Sequence, residues 1–242
     1  MIRRLLIILT LSLFIASLYS CSKKKEWSED GLYSYAEENQ AAYKGALVLY
    51  NKFSDELKTS GYTNTVLALS IVFPEFMRYS AFRDKMETLA TTLIYTNSPE
   101  SGGYSIGAFQ MKPIFAQDLE KIVSADKELK LKYPLIDYAG LVENLEDRKE
   151  RIKRLQNSKS QIQYLYAFID ICTEKFQLES LSDEDKLTYL ATAYNSGFMR
   201  SKEQIEDLSK RKTFPNGPEN KNSKWNYATI TKEFYRSRIL TN

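Results

Sequence analysis

Between residues 35 and 58 the apolar side chains Tyr43, Ala46, Leu47, Tyr50, Phe53 and Leu57 return at steps of three and four. A strand alternates at two, so this spacing fits an amphipathic helix of about six turns. The step recurs in residues 77–95, with Phe82, Met86, Leu89 and Leu93 on one face, and in residues 113–131, with Phe115, Leu119, Ile122 and Val123. Glycine and proline number only 9 and 6 in 242 residues, about half the usual share, so the turns that small sheets need are scarce. The chain is expected to be all-α, one domain of about eight helices over residues 35–242 with no substantial sheet.

The expected helices are residues 35–58, 65–73, 77–95, 113–131, 141–155, 160–176, 182–194 and 225–239. Residues 65–73 are apolar on every side and belong at the centre of the fold. Pro74 follows at once and must kink or end that element, because it lacks an N–H. Pro113 suits a first helical turn, and Ser182 with Asp185 three residues on resembles a capping pair. Residues 146–154 are dense in charge, which reads as a solvated helix. Polar loops with glycine and proline fall at 97–103 and 213–223.

The first residues read as a targeting segment. Arg3 and Arg4 precede an apolar run from Leu5 to Leu18, too short to span a bilayer and right for a signal-peptide core. The run ends in Leu18-Tyr19-Ser20-Cys21, which resembles a bacterial lipobox. Residues 1–20 would then be removed, and Cys21 would carry lipid as the new first residue. Residues 21–34 form a tether; Lys23-Lys24-Lys25 within it is a solvated run, with attraction to anionic headgroups as the alternative. An extended link from Cys21 to Gly31 keeps the domain within about 35 Å of its membrane. This is the pattern of a cell-envelope protein anchored to a bacterial membrane and facing the periplasm.

Composition narrows the chemistry. There is no histidine, so neither a Ser-His-Asp nor a Cys-His nucleophilic site can be built, and proton transfer falls to Asp, Glu, Lys or Tyr. Losing the leader's two arginines lowers the net charge from +3 to +1, and that near-neutrality argues against nucleic acid as the partner, which would want a strongly basic face. The second cysteine, Cys172, lies among Phe168, Ile169 and Ile171 and reads as a small buried hydrophobe.

Three places break the pattern of a plain bundle. Glu75 is a carboxylate straight after the apolar stretch, between Pro74 and Phe76; burial there would raise its pKa toward that of a general acid. The second is Ser105-Ile106-Gly107-Ala108-Phe109-Gln110-Met111-Lys112-Pro113, where the glycine permits close backbone approach to a ligand and Gln110 offers a mounted amide. The third is Ala191-Thr192-Ala193-Tyr194-Asn195-Ser196-Gly197, a helix stop that could also line a sugar cleft.

In that order the three segments resemble the lysozyme-like lytic transglycosylases of bacterial cell walls, over residues 62–238. The resemblance implies that Glu75 is the catalytic acid. It matches Gly107, Ala108, Phe109 and Gln110 to the family's G-L-M-Q segment, with Ser105 before it, and Tyr194, Asn195 and Gly197 to its Y-N-x-G segment. Substrate contacts are therefore expected from Ser105, Gly107, Phe109, Gln110, Tyr194 and Asn195. The helix that Trp225-Asn226-Tyr227 opens is similar to the family's last one. Four features depart from the pattern: Phe76 stands where serine is usual, Phe109 replaces methionine, Pro74 precedes the glutamate, and 32 residues separate Glu75 from Gly107.

The implied reaction is cleavage of the β-1,4 bond between N-acetylmuramic acid and N-acetylglucosamine in peptidoglycan strands, leaving 1,6-anhydro ends, with no cofactor and no metal. Two rivals stand beside it. A hydrolytic muramidase would need a second carboxylate, from Glu100, Asp84 or Glu87. A non-catalytic lipoprotein would use the same cleft to bind glycan.

Overall fold

The computed structural model describes residues 28–79, 81–97, 104–137, 144–217 and 222–240. Among them are eleven helices and no strand. In chain order they are α1 (Leu32–Glu38), α2 (Gln40–Thr59), α3 (Thr65–Arg78), α4 (Ala81–Asn97), α5 (Pro113–Ala125), α6 (Lys127–Lys132), α7 (Leu145–Gln156), α8 (Ser158–Phe176), α9 (Asp183–Ser196), α10 (Lys202–Ser209) and α11 (Tyr227–Ile239). The fold is all-α.

The apolar stretch is the centre, as its lack of a polar face requires. Every residue of α3 from Leu67 to Met77 is buried, and α2, α9 and α11 pack around it. Pro74 does not end the helix, which runs on to Arg78. The residues flanking the proline hold it in place: Phe73 stacks on Phe234 of α11 with ring centroids 3.5 Å apart, and Phe76 stacks on Phe53 of α2 at 5.7 Å. Burial of two aromatic side chains outweighs the one helical hydrogen bond that Pro74 cannot donate to Ser70.

Three additional helices separate eleven from the expected eight. The expected helix at 35–58 is broken at Asn39, whose φ of −134° and ψ of 51° leave helical space. The N-terminus of α1 has no side-chain cap of its own. Instead Glu233 of α11 accepts hydrogen bonds from the N–H groups of Ser28 (2.9 Å) and Leu32 (2.6 Å), placing a carboxylate at the positive end of the helix dipole. Asp126 separates α5 from α6 by accepting from the N–H groups of Glu128 and Leu129. The short α10 opens on a capping box of Ser201 and Gln204. The capping pair at Ser182 forms as read, with the Asp185 N–H donating to Ser182 Oγ at 3.2 Å, and Pro113 opens α5.

Two helices present different faces from those their sequences suggest. In α4 the apolar residues Met86, Leu89 and Leu93 are 52%, 58% and 64% exposed, while Thr88, Thr91 and Tyr95 are buried. In α7 the charged run is not wholly solvated. Arg151 is 2% exposed and Glu120 of α5 is 1% exposed. Arg151 donates through Nε (2.8 Å) to Glu120 Oε2, and Arg154 through Nη2 (3.0 Å) to Oε1. Tyr164 of α8 also donates to Glu120, and Tyr95 of α4 meets Arg151. This polar clasp joins α4, α5, α7 and α8, and it selects the Thr and Tyr face of α4 as the inner one. Cys172 is fully buried. No helix among the described residues is long and apolar enough to cross a membrane.

Candidate active site

Glu75 sits in the last turn of α3, 5% exposed, and its carboxylate forms part of the wall of a cleft of about 630 Å3. Helix α3 positions it because Phe73 and Phe76, on either side of it in sequence, are locked into the core.

The second wall is the loop before α5. Ile106 and Met111 pair as an isolated antiparallel bridge, with N–H to carbonyl distances of 2.9 and 3.2 Å, and pinch residues 107–110 into a turn. Gly107 (φ +74°) and Gln110 (φ +51°) both adopt left-handed backbone, a costly conformation for glutamine that marks an imposed geometry. The Gln110 amide N–H donates to the Gly107 carbonyl at 2.9 Å, which leaves its Oε1 able to accept, and the residue lines the cleft.

Gly107 is needed for a contact within the protein, and it is not among the residues that line the cleft. A Cβ there would lie 2.1 Å from Gln161 Nε2 and 2.6 Å from the Leu155 carbonyl oxygen. Gln161 braces the turn from α8, accepting from the Phe109 N–H at 2.9 Å and donating to the Leu155 carbonyl at 2.7 Å. Gly107→Ala combines left-handed strain with loss of these buried hydrogen bonds. It is expected to cost about 2–3 kcal/mol, a fall in Tm of about 4–12 °C in thermal unfolding. A loss below about 1 kcal/mol would mean that Gln161 is not the brace.

Phe109 also departs from its expected role. It is fully buried, 4.7 Å from the Phe53 ring and 5.7 Å from Phe76, and it does not line the cleft. Its carbonyl does the useful work, accepting from the Tyr194 hydroxyl at 2.7 Å.

The third wall is the end of α9. Tyr194, Asn195, Ser196 and Gly197 line the cleft, and Gly197 (φ +99°) turns the chain out of the helix. The Asn195 amide donates to Thr213 Oγ1 at 2.8 Å, fixing this wall to the loop that brings Asn216 and Gly217 to the cleft.

Around Glu75 the charges are unevenly placed. Burial pushes its pKa up; Arg78, a hydrogen bond with Tyr227 and the charge of Lys112 pull it partly back. Arg78 Nη1 lies 3.3 Å from Glu75 Oε2. Burial and the neighbouring Glu75 raise the Tyr194 and Tyr227 phenols well above their ordinary value, so both stay neutral. The Tyr227 hydroxyl donates to the Ile71 carbonyl at 3.0 Å and is also within reach of Glu75. It has one proton. It can give that proton to an ionised Glu75, or keep it on Ile71 and accept from a protonated Glu75.

Five of the expected site residues therefore meet in one cleft: Glu75, Ser105, Gln110, Tyr194 and Asn195. Gly107 and Phe109 stand behind its wall. Cys21 and Glu100 lie outside the described residues. Asp84 accepts the Gly107 N–H at 2.7 Å and, like Glu87, does not line the cleft. Sequence reasoning missed Arg78, Lys112, Asp118 and Tyr227. Arg78 carried a signal, since three residues along a helix share a face; Tyr227, 152 residues from Glu75, stood only as the start of the last helix, with no sign that it meets Glu75. Among the described residues no cluster of three or more Cys, Asp or Glu side chains could hold a metal ion.

No protein-family model, curated protein or solved structure matches this chain.

Proposed function

We propose that the chain is a lysozyme-like lytic transglycosylase, anchored by lipid at Cys21 in the bacterial cell envelope, that cleaves the MurNAc-β-1,4-GlcNAc bond of peptidoglycan. One observation carries this reading. Three short segments that resemble the family's motifs, up to 120 residues apart, contribute Glu75, Gln110 and Tyr194 to a single cleft around a buried carboxylate.

The chemistry needs one acid. Protonated Glu75 gives its proton to the glycosidic oxygen as the bond to muramoyl C1 breaks. The resulting carboxylate then takes the proton of the C6 hydroxyl as that oxygen bonds to C1. The products are a 1,6-anhydro end and a free GlcNAc hydroxyl, and no water is consumed. Because Tyr194 donates its proton to Phe109, its oxygen lone pairs can face positive charge developing at C1. The free Oε1 of Gln110 can accept from a sugar N–H or hydroxyl. Positioned groups of this kind are each worth a few kcal/mol in a transition state.

The two aromatic departures from the family pattern fit this reading. Phe76 and Phe109 pack on each other and on Phe53 in the core, so neither intrudes on the cleft.

The test is to incubate the purified chain with sacculi and analyse the released muropeptides by mass spectrometry. Anhydro ends are expected, with activity falling on the alkaline side at a pKa above the ordinary carboxyl range, since burial raises Glu75. Reducing ends would replace this reading with a hydrolase. Asp118 favours that second reading, because its carboxylate lines the same cleft and could serve a water. Binding without products would leave a glycan-binding lipoprotein.

A further inference from the structure

The contact between Glu75 and Arg78 conflicts with a role for Glu75 as an acid, because a guanidinium beside a carboxylate favours the charged form. The details of the pair resolve the conflict. It is a single contact at 3.3 Å, longer than the 2.7–2.9 Å of a well-made charge-assisted bond. The two ends differ sharply in exposure: the Glu75 side chain is 6% exposed and the Arg78 side chain 35%. Glu75 is fixed by the core, and Arg78 is the end that can move.

The cleft around them is cationic. Arg78, Lys112 and Arg200 line it against two carboxylates, Glu75 and Asp118. Arg200 is held by a 2.8 Å bond from its Nε to the Ser196 carbonyl. The groups that face Glu75 from the other elements are Tyr35 of α1, Tyr194 of α9, Tyr227 of α11 and Lys112 before α5. The tyrosines are neutral, so of these groups Arg78 and Lys112 carry the charge that acts on Glu75.

We propose that Arg78 is a positioning residue that favours the ionised form of Glu75 in the free protein and withdraws that support when a carboxylate-bearing sugar chain enters the cleft and takes the guanidinium. This rests on the glycan-cleaving reading and deepens it, by making a carboxylate on the muramoyl residue a requirement of cleavage. With Arg78 turned to the ligand, an ionised Glu75 would be left buried beside neutral phenols with only the weaker influence of Lys112 to offset burial, and it takes a proton from solvent instead. Tyr227 then receives the Glu75 hydroxyl while its own proton stays on Ile71. The acid is made by the substrate that needs it. The ligand carboxylate could belong to a bare lactyl group or to a stem peptide.

Because binding is coupled to protonation, it must take up protons, about one per site at a pH between the free and bound pKa values of Glu75. The test is calorimetric titration of the full chain in buffers of different ionisation enthalpy, using three ligands. A stem-free muramoyl oligosaccharide carries the lactyl carboxylate, muramyl dipeptide carries a stem carboxylate, and chitotetraose is neutral. Uptake is expected with at least one of the first two, which identifies the source, and not with chitotetraose. Arg78→Gln should abolish the uptake, and Arg78→Lys should restore part of it. In turnover, the alkaline limb of kcat should lie above that of kcat/KM in the parent, and the two should coincide in Arg78→Gln. Equal uptake with chitotetraose, uptake unchanged in Arg78→Gln, or none with bound anionic ligands would overturn the gate while leaving the cleavage reading intact. If all three sugars fail to bind and sacculi are not cleaved, the glycan reading falls and the gate falls with it. Should Arg78→Gln not fold, the comparison of ligands on the parent decides.

Discussion

Glu75→Gln is expected to stop the release of anhydro-muropeptides from sacculi, by about a thousandfold or more, while leaving binding to the sacculi in place. Glutamine matches glutamate in shape and can still accept from Tyr227 and Arg78, which now meet the carboxylate. It has no proton to give. A single general acid or base contributes roughly 10²–10⁴-fold, and here the same group would serve first as acid and then as base, so both steps fail together. The parent and variant should pellet equally with sacculi and differ only in product. Turnover within about tenfold of the parent would remove Glu75 from the chemistry. Equal binding with no product from either protein would make the cleft a docking site for glycan.

The second large effect is on stability, far from the cleft. Glu120→Ala should destabilise the fold by about 3–5 kcal/mol, because it removes the carboxylate from a buried charge cluster. Arg151, 2% exposed, would lose the carboxylate that now faces it, and Arg154 and Tyr164 would lose the same acceptor. For a chain of this size the expected fall in Tm is about 6–20 °C. Replacing Glu120 and Arg151 together by Leu and Met should cost less than Glu120→Ala alone, since a matched apolar pair leaves less buried charge to compensate. Equal or greater cost for the double variant would show that the cluster stabilises through its net attraction.

Helix positions were legible in the sequence because the three–four step depends only on the chain's own geometry. The inward face of a helix was less legible. In α4 the spacing of Met86, Leu89 and Leu93 marks one face correctly, but hydrophobicity alone would turn that face inward. Tyr95, reaching the Arg151 clasp, turns it outward. The charged run of α7 misled for the same reason: whether Arg151 is solvated depends on Glu120, which lies 31 residues away on another helix. At the site, Glu75, Ser105, Gln110, Tyr194 and Asn195 could be picked out because each belongs to a short segment with recognisable local chemistry. Gly107 and Phe109 share a segment with Gln110, and sequence could not tell which members of that segment face the cleft and which brace it. Tyr227 could not be found, since its proximity to Glu75 exists only in three dimensions.

The docking of α11 has a consequence for how the fold comes apart. Asn226 caps α11 through its side chain and also donates to the carbonyls of Ser209 and Arg211. Helix α11 then supplies Phe234 to stack on Phe73, Tyr227 to meet Glu75, and Glu233 to close the start of α1. With α11 undocked, α3 keeps α2 and α9 against it but loses Phe234 from Phe73 and Tyr227 from Glu75, so the carboxylate loses part of the burial that raises its pKa. The same movement opens the start of α1, which Glu233 closes. The surroundings of Glu75 and the closure of the first described helix are therefore coupled through α11, and what loosens one loosens the other.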